Sequence, residues 1–260
     1  VNEPDTSTID INGFPTRVWR LGSGPTIGFL AGYGGLPKWI PFLDRLAETR
    51  TVIVPSLPGF PGGDRGHTVL DSHLDWLLAA RDLIDKAGLA GGDLIGSSVG
   101  GSFAAELAAI WPDKVKRLAL IAPFGLFDAR EPAADPWAQK QEDIAALMTR
   151  APEIYKALKQ MPAGANSIEW PIEQTRAAEA AARIFWPLGN TRLERRLPLI
   201  KAPTLILWGA EDRLLPAGYA DSMARAIGGR AKVELIAAAG HLAELDKPDE
   251  VAAAILRFMP

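Results

Sequence analysis

The chain has 260 residues, 48% of them apolar and 23% charged, with 28 Lys and Arg against 31 Asp and Glu for a net charge of −3. This suits a globular chain with one large core, and without a basic excess the electrostatic pull that drives nucleic-acid binding is missing, so no nucleic acid is expected. The absence of cysteine excludes disulfides, thiolate metal sites and a cysteine nucleophile, and three scattered histidines without an HExxH motif predict neither metal nor cofactor.

The opening VNEPDTSTIDING is polar and acidic, with no basic segment leading into an apolar run. No stretch reaches the roughly 18 apolar residues that span a bilayer. A cytoplasmic protein without membrane contact is expected; because residue 1 is Val, earlier processing of the N-terminus stays open.

In chain order, residues 8–11 and 16–20 alternate apolar and polar around Asn12-Gly13, which predicts an antiparallel hairpin. Residues 26–31 and 51–55 are short, nearly continuous apolar runs, the pattern of strands buried on both faces. Leu70, Leu74, Leu77, Leu78 and Ile84 fall at helical spacing, with Asp71 and Asp75 near the positive helix start. Further strand runs lie at 93–96, 118–121, 204–208 and 232–236. The chain ends in a helix in which Pro248 opens the first turn and Val251, Ile255 and Phe258 form a stripe.

Buried strands alternating with helices predict a mostly parallel α/β sheet, antiparallel only at its N-terminal hairpin and covered by helices on both faces. Residues 124–197 break the alternation. They hold no buried strand run, only helical stretches such as 142–150 and 172–184, and read as an inserted helical cap on a core of residues 1–123 and 198–260. The insertion carries ten basic and ten acidic residues, and so no net pull on anions. Arg192, Arg195 and Arg196 cluster at its end and read as a solvated hinge.

Gly96-Ser97-Ser98-Val99-Gly100 fits a GxSxG pattern between an apolar strand and a small-residue helix. A tight strand-to-helix turn requires such glycines and lifts Ser98 to the C-terminal sheet edge. The Val99 amide then faces the place where an oxyanion would form. A serine hydroxyl needs a base, oriented by a third group. His241 follows the last strand run and Asp212 the one before it, so parallel strands would deliver Ser98, Asp212 and His241 to one edge. Glu211 and Asp128 are the competing acids. His67 and His73 read as solvated or pocket-rim residues.

The order serine, aspartate, histidine, with a helical insertion before the aspartate, resembles the cap-bearing serine hydrolases of the α/β-hydrolase fold family over nearly the whole chain. The resemblance implies Ser98 as nucleophile, His241 as base and Asp212 as its orienting acid. It also implies that the Tyr33 amide, in Leu30-Ala31-Gly32-Tyr33-Gly34-Gly35, joins Val99 as second oxyanion donor, although Ala31 stands where the family usually has histidine.

The expected substrate is a small, largely apolar ester or lactone, in a pocket drawing on Trp39, Phe124, Trp137, Trp186, Leu215 and Leu242. The related meta-cleavage carbon–carbon bond hydrolases are the alternative, with Ser97 and Leu242 standing where they typically carry asparagine and tryptophan. A non-catalytic ligand receptor on the same scaffold is the third reading. Monomer and homodimer are both compatible with the sequence.

Overall fold

A computed structural model of the protein describes residues 3–162, 164–187 and 189–260. Strands β1 (Asp5–Ile11) and β2 (Phe14–Leu21) form the N-terminal hairpin, and Asn12 and Gly13 supply the positive φ angles of 55° and 85° that its turn requires. There follow β3 (Thr26–Leu30), α1 (Pro41–Ala47), β4 (Thr51–Pro55), α2 (His73–Lys86), β5 (Gly92–Ser97), α3 (Ser98–Ile110) and β6 (Val115–Ile121).

Between β6 and β7 (Thr204–Gly209) the described residues form α4 (Gln141–Met148), α5 (Pro152–Lys159), α6 (Glu169–Phe185) and two short 3-10 turns, and no strand. The chain closes with α7 (Gly218–Ile227), β8 (Ala231–Ile236), α8 (Ala243–Asp246) and α9 (Pro248–Phe258).

The eight strands make one sheet in the order β1-β2-β4-β3-β5-β6-β7-β8, antiparallel at β1-β2 and β2-β4 and parallel elsewhere. Alternate side chains of the central strands enter two different cores. Leu94, Leu118, Leu120 and Ile206 pack with Leu77 and Leu83 of α2, Phe103 of α3 and Met223 of α7. Ile95, Ala119, Ile121 and Leu207 pack with Phe42 and Leu46 of α1 and Val251 and Ile255 of α9. Both faces are therefore dry, which is why these strands read as unbroken apolar runs.

Two details depart from the sequence reading. Helix α2 starts at His73, behind a capping box in which the Asp75 amide donates to Ser72 Oγ and the Ser72 amide to Asp75, and Leu74 and Leu78 point to solvent. Strand β8 is an edge strand, half-covered along much of its length and with Leu235 exposed, because only β7 flanks it.

Candidate active site

The turn between β5 and α3 is sterically fixed. Ser98 sits at φ +50°, a left-handed conformation that costs a non-glycine residue about 1–3 kcal/mol and must be held by its surroundings. Those surroundings leave no room for side chains on the flanking glycines. A Cβ on Gly96 would lie 2.7 Å from that of Ala104, one on Gly100 would strike the Leu30 carbonyl, and one on Gly101 would lie 2.8 Å from Pro123. The Gly100 amide donates to Ala31 O at 3.2 Å and the Phe124 amide to Ser98 O at 3.1 Å, tying the turn to its neighbours.

Parallel strands β5, β7 and β8 end at the same edge and bring Ser98, Asp212 and His241 together. Ser98 Oγ lies 2.8 Å from His241 Nε2, and His241 Nδ1 lies 2.9 Å from Asp212 Oδ2. The second carboxylate oxygen, Oδ1, accepts from the amides of Leu214 and Leu215 at 2.8 and 2.9 Å. The side chains of His241 and Asp212 have no solvent exposure, and Ser98 has none. One line of hydrogen bonds thus runs from two backbone amides through a carboxylate and an imidazole to a hydroxyl.

The histidine loop is held partly by the insertion. The Leu242 amide donates to Met148 O at the end of α4 at 2.8 Å, and the Asp246 carboxylate accepts from both Gly240 and Arg150 amides at 2.7 and 2.8 Å. Phe124 packs its ring edge against His241, with centroids 5.7 Å apart, and is backed by Phe185 at 5.1 Å.

The competing acids are engaged elsewhere. Asp128 pairs with Arg130, whose guanidinium pulls its carboxyl down to about 2, and Glu211 pairs with Arg150. His73 meets the buried Glu106. His67 is buried beside Glu179 and borders a surface hollow with Arg65 and Arg176; burial lowers its pKa. Arg196 is no solvated hinge residue: it pairs with the buried Glu106 of α3, which His73 also meets through a hydrogen bond.

Two of the expected pocket residues have other surroundings. Trp39 is part of the core beneath α1, edge-on to Trp19 at 6.0 Å with its indole N–H donating to Asp44, and Trp186 is 59% exposed. Aromatic content alone does not tell a packing role from a lining role. Phe124 touches the histidine, Leu215 donates to the aspartate, and the Leu242 side chain comes within 2.8 Å of where a Gly32 Cβ would be. Trp137 stands edge-on to Tyr33 at 5.9 Å. Among the described residues the Tyr33 N–H has no hydrogen-bond partner, and Val99 lies in the first turn of α3, where amides lack an acceptor within the helix.

Glu244 and Lys159 were not singled out from the sequence. Burial pushes the Glu244 carboxyl up to about 7 against the opposing effect of Ser97 and His241, and burial carries Lys159 down to about 7. Lys159 ends a short amphipathic helix and Glu244 sits on a single helical turn, places where a charged residue ordinarily means a solvated face, so no sequence signal marks either one. Among the described residues no group of His, Asp or Glu is arranged to hold a metal, and no helix is long and apolar enough to cross a membrane.

The eight-stranded, mostly parallel sheet with its strained serine turn at the end of β5 is that of the alpha/beta hydrolase fold. The model of the alpha/beta hydrolase family matches residues 24–254, and the chain belongs to that family. It is similar to the 2-hydroxy-6-oxo-6-phenylhexa-2,4-dienoate hydrolase of Comamonas testosteroni, at 27% identity over 93% of this chain and 90% of that one. It is also similar to the dihydrolipoyllysine-residue acetyltransferase component of the acetoin cleaving system of Cupriavidus necator, at 28% identity over 96% of this chain and 68% of that protein. Among solved structures, naproxen esterase from Bacillus subtilis superposes with a TM-score of 0.76 at 17% identity, covering 99% of this chain and 92% of that one, a likeness of fold.

Proposed function

We propose that the protein is a serine hydrolase of small carboxylic esters or lactones, with Ser98 as nucleophile, His241 as general base and Asp212 as the acid that orients it. The observation that carries this reading is the unbroken hydrogen-bond line from Asp212 through His241 to Ser98 at 2.9 and 2.8 Å. His241 Nε2 takes the Ser98 proton as Oγ attacks the carbonyl carbon. Asp212 holds the other proton on Nδ1 and stabilises the imidazolium. The carbonyl π electrons move to oxygen, and the amides of Tyr33 and Val99 receive that charge, each worth about 3 kcal/mol of transition-state stabilisation.

Collapse of the tetrahedral intermediate expels the alcohol, protonated by His241, and leaves an acyl group on Ser98. Water, deprotonated by the same imidazole, then releases the acid and restores the hydroxyl. The helical insertion serves as the cap that excludes bulk water from this chemistry.

A fluorophosphonate probe should label the wild type at Ser98, and p-nitrophenyl ester turnover should vanish in Ser98→Ala and His241→Ala. Folded wild type that neither labels nor turns over an ester would refute the reading. Similarity to the Comamonas 2-hydroxy-6-oxo-6-phenylhexa-2,4-dienoate hydrolase supports a second reading, carbon–carbon cleavage of a vinylogous diketone at the same serine. Ser97 and Leu242 argue against it, and a vinylogous diketone cleaved faster than any ester would decide for it.

A further inference from the structure

A cavity of about 840 Å³ lies between the Tyr33–Gly34 loop and helices α4, α5 and α6. Ile144, Ala145, Pro171 and Ala178 give it an apolar wall, into which Tyr33, Tyr155, Lys159 and Gln174 set groups that can donate, while Gln141, Glu142 and Thr175 add acceptors. Lys159 Nζ donates to Gly34 O at 2.6 Å and to Gly35 O at 3.3 Å, and among the described residues it forms no ion pair. Gln174 lines the same space, with its Nε2 buried and, among the described residues, without a hydrogen-bond partner. The hydroxyls of Tyr33 and Tyr155 stay protonated because burial raises both, Tyr33 to about 12.

Carbonyl oxygens satisfy the hydrogens of an ammonium group without cancelling its charge. Burial brings Lys159 down to about 7, and the carboxylate of Glu173 on α6 opposes that only in part. The other charged or titratable groups around this space are Tyr155 and Lys156 on α5, Tyr33 on the loop, and Lys140 and Glu142 at the start of α4. Lys140, Glu142 and Lys156 are exposed, and among the described residues no other acidic side chain lines the cavity. A desolvated cation beside an unpartnered amide N–H is a setting that an acceptor-rich anion stabilises.

We propose that this cavity is an acid subsite, in which Lys159 and Gln174 hold a carboxylate carried by the substrate while its ester carbonyl lies at Ser98. The inference rests on the ester-hydrolase reading and narrows it to esters with a free carboxylate, such as monoesters of short dicarboxylic acids. Tyr33 links the two places, since its side chain lines the cavity and its amide is the second oxyanion donor of the proposed mechanism. The even charge count of the insertion conceals the subsite, because a sum over a segment does not say which groups share one space.

The experiment compares p-nitrophenyl hemiglutarate with p-nitrophenyl hexanoate, reading the ratio of their kcat/KM values. In the wild type the ratio favours the hemiglutarate by about tenfold or more at roughly pH 6, the scale of one charge-assisted hydrogen bond. It falls as the pH rises through about 7, where the ammonium loses its proton; the ratio cancels any pH dependence that both esters share. Lys159→Met and Gln174→Leu each lower the ratio, and Lys159→Arg keeps it high at alkaline pH.

If Lys159 only fastens the loop, Lys159→Met slows both esters equally and the subsite is refuted. A second arm is independent of turnover. Calorimetric titration of glutarate into Ser98→Ala protein should show binding with proton uptake above pH 7, lost in Ser98→Ala/Lys159→Met. Absent or Lys159-independent binding overturns the subsite and leaves the ester reading standing. Glutarate binding without turnover of either ester overturns the ester reading instead.

Discussion

Replacing Asp212 by Asn tests the site at its most constrained point. Asp212 Oδ1 accepts two backbone amides, from Leu214 and Leu215, while Oδ2 faces His241 Nδ1. An Asn side chain must keep its oxygen toward the two amides, because the flipped rotamer would set an NH2 against two N–H donors and forfeit about 1 kcal/mol per bond, plus the repulsion. Its NH2 then points at Nδ1, which is forced to accept, and the imidazole proton moves to Nε2. There it donates to Ser98 Oγ in place of taking a proton from it.

The base is thereby lost with no change of shape, and kcat should fall by about ten-thousandfold, on the order of 5 kcal/mol of barrier. Steady-state hydrolysis of a p-nitrophenyl ester measures the loss, and a thermal melt within a few degrees of the wild type shows that the fold is intact. Asp128→Asn, at a half-exposed residue bound to Arg130, should change kcat less than twofold. The reasoning is wrong if Asp212→Asn keeps a tenth of the wild-type rate, or if Asp128→Asn loses as much.

Three further outcomes follow from the packing. Gly100→Ala must drive its methyl into the Leu30 carbonyl, so the melting temperature should drop by ten degrees or more or the protein should fail to accumulate folded; near-wild-type stability would contradict the described turn. Phe124→Ala should destabilise by about 3 kcal/mol and slow turnover by loosening His241, whereas the exposed Trp186→Ser should stay within about 0.5 kcal/mol in a urea titration. Burial opposes ionisation of Glu106, but hydrogen bonds from His73 and Arg196 outweigh it and hold the carboxyl below its usual range. Its contribution to stability is therefore full above the ordinary carboxylate pKa and lost as the pH falls through the lowered one. Arg196→Met should cost about 2–4 kcal/mol at neutral pH and much less in acid, as followed by melts across pH.

Much of the sheet and its hydrophobic pattern is legible in the sequence because strands dry on both faces leave unbroken apolar runs, as in Thr51–Pro55, whose ends match the reading. The serine turn is legible because only glycine fits where backbone and helix touch. Asp212 and His241 could be located because each follows a strand of known direction. Helices α1, α5 and α7 were less visible, since each is short and its apolar stripe lasts only two or three turns. Lining residues were the hardest. Trp39 and Phe124 are alike in composition terms, and what separates them is which side of the sheet each packs on, a fact that arises only when the chain is folded. Lys159 looks like any solvated helix lysine until Gly34 and Gly35 close over it.

The two contacts that Met148 and Arg150 make with the histidine loop bear on how such proteins recombine. A chimera that imported a new insertion at the ends of β6 and β7 would discard the Met148 carbonyl and the Arg150 amide, and with them two of the contacts that hold the histidine loop. New specificity grafted in that way should arrive with a misdirected base. A transplant confined to α5 and α6, which leaves residues 141–150 in place, would exchange only the cavity walls that carry Lys159 and Gln174 and keep the imidazole where it is.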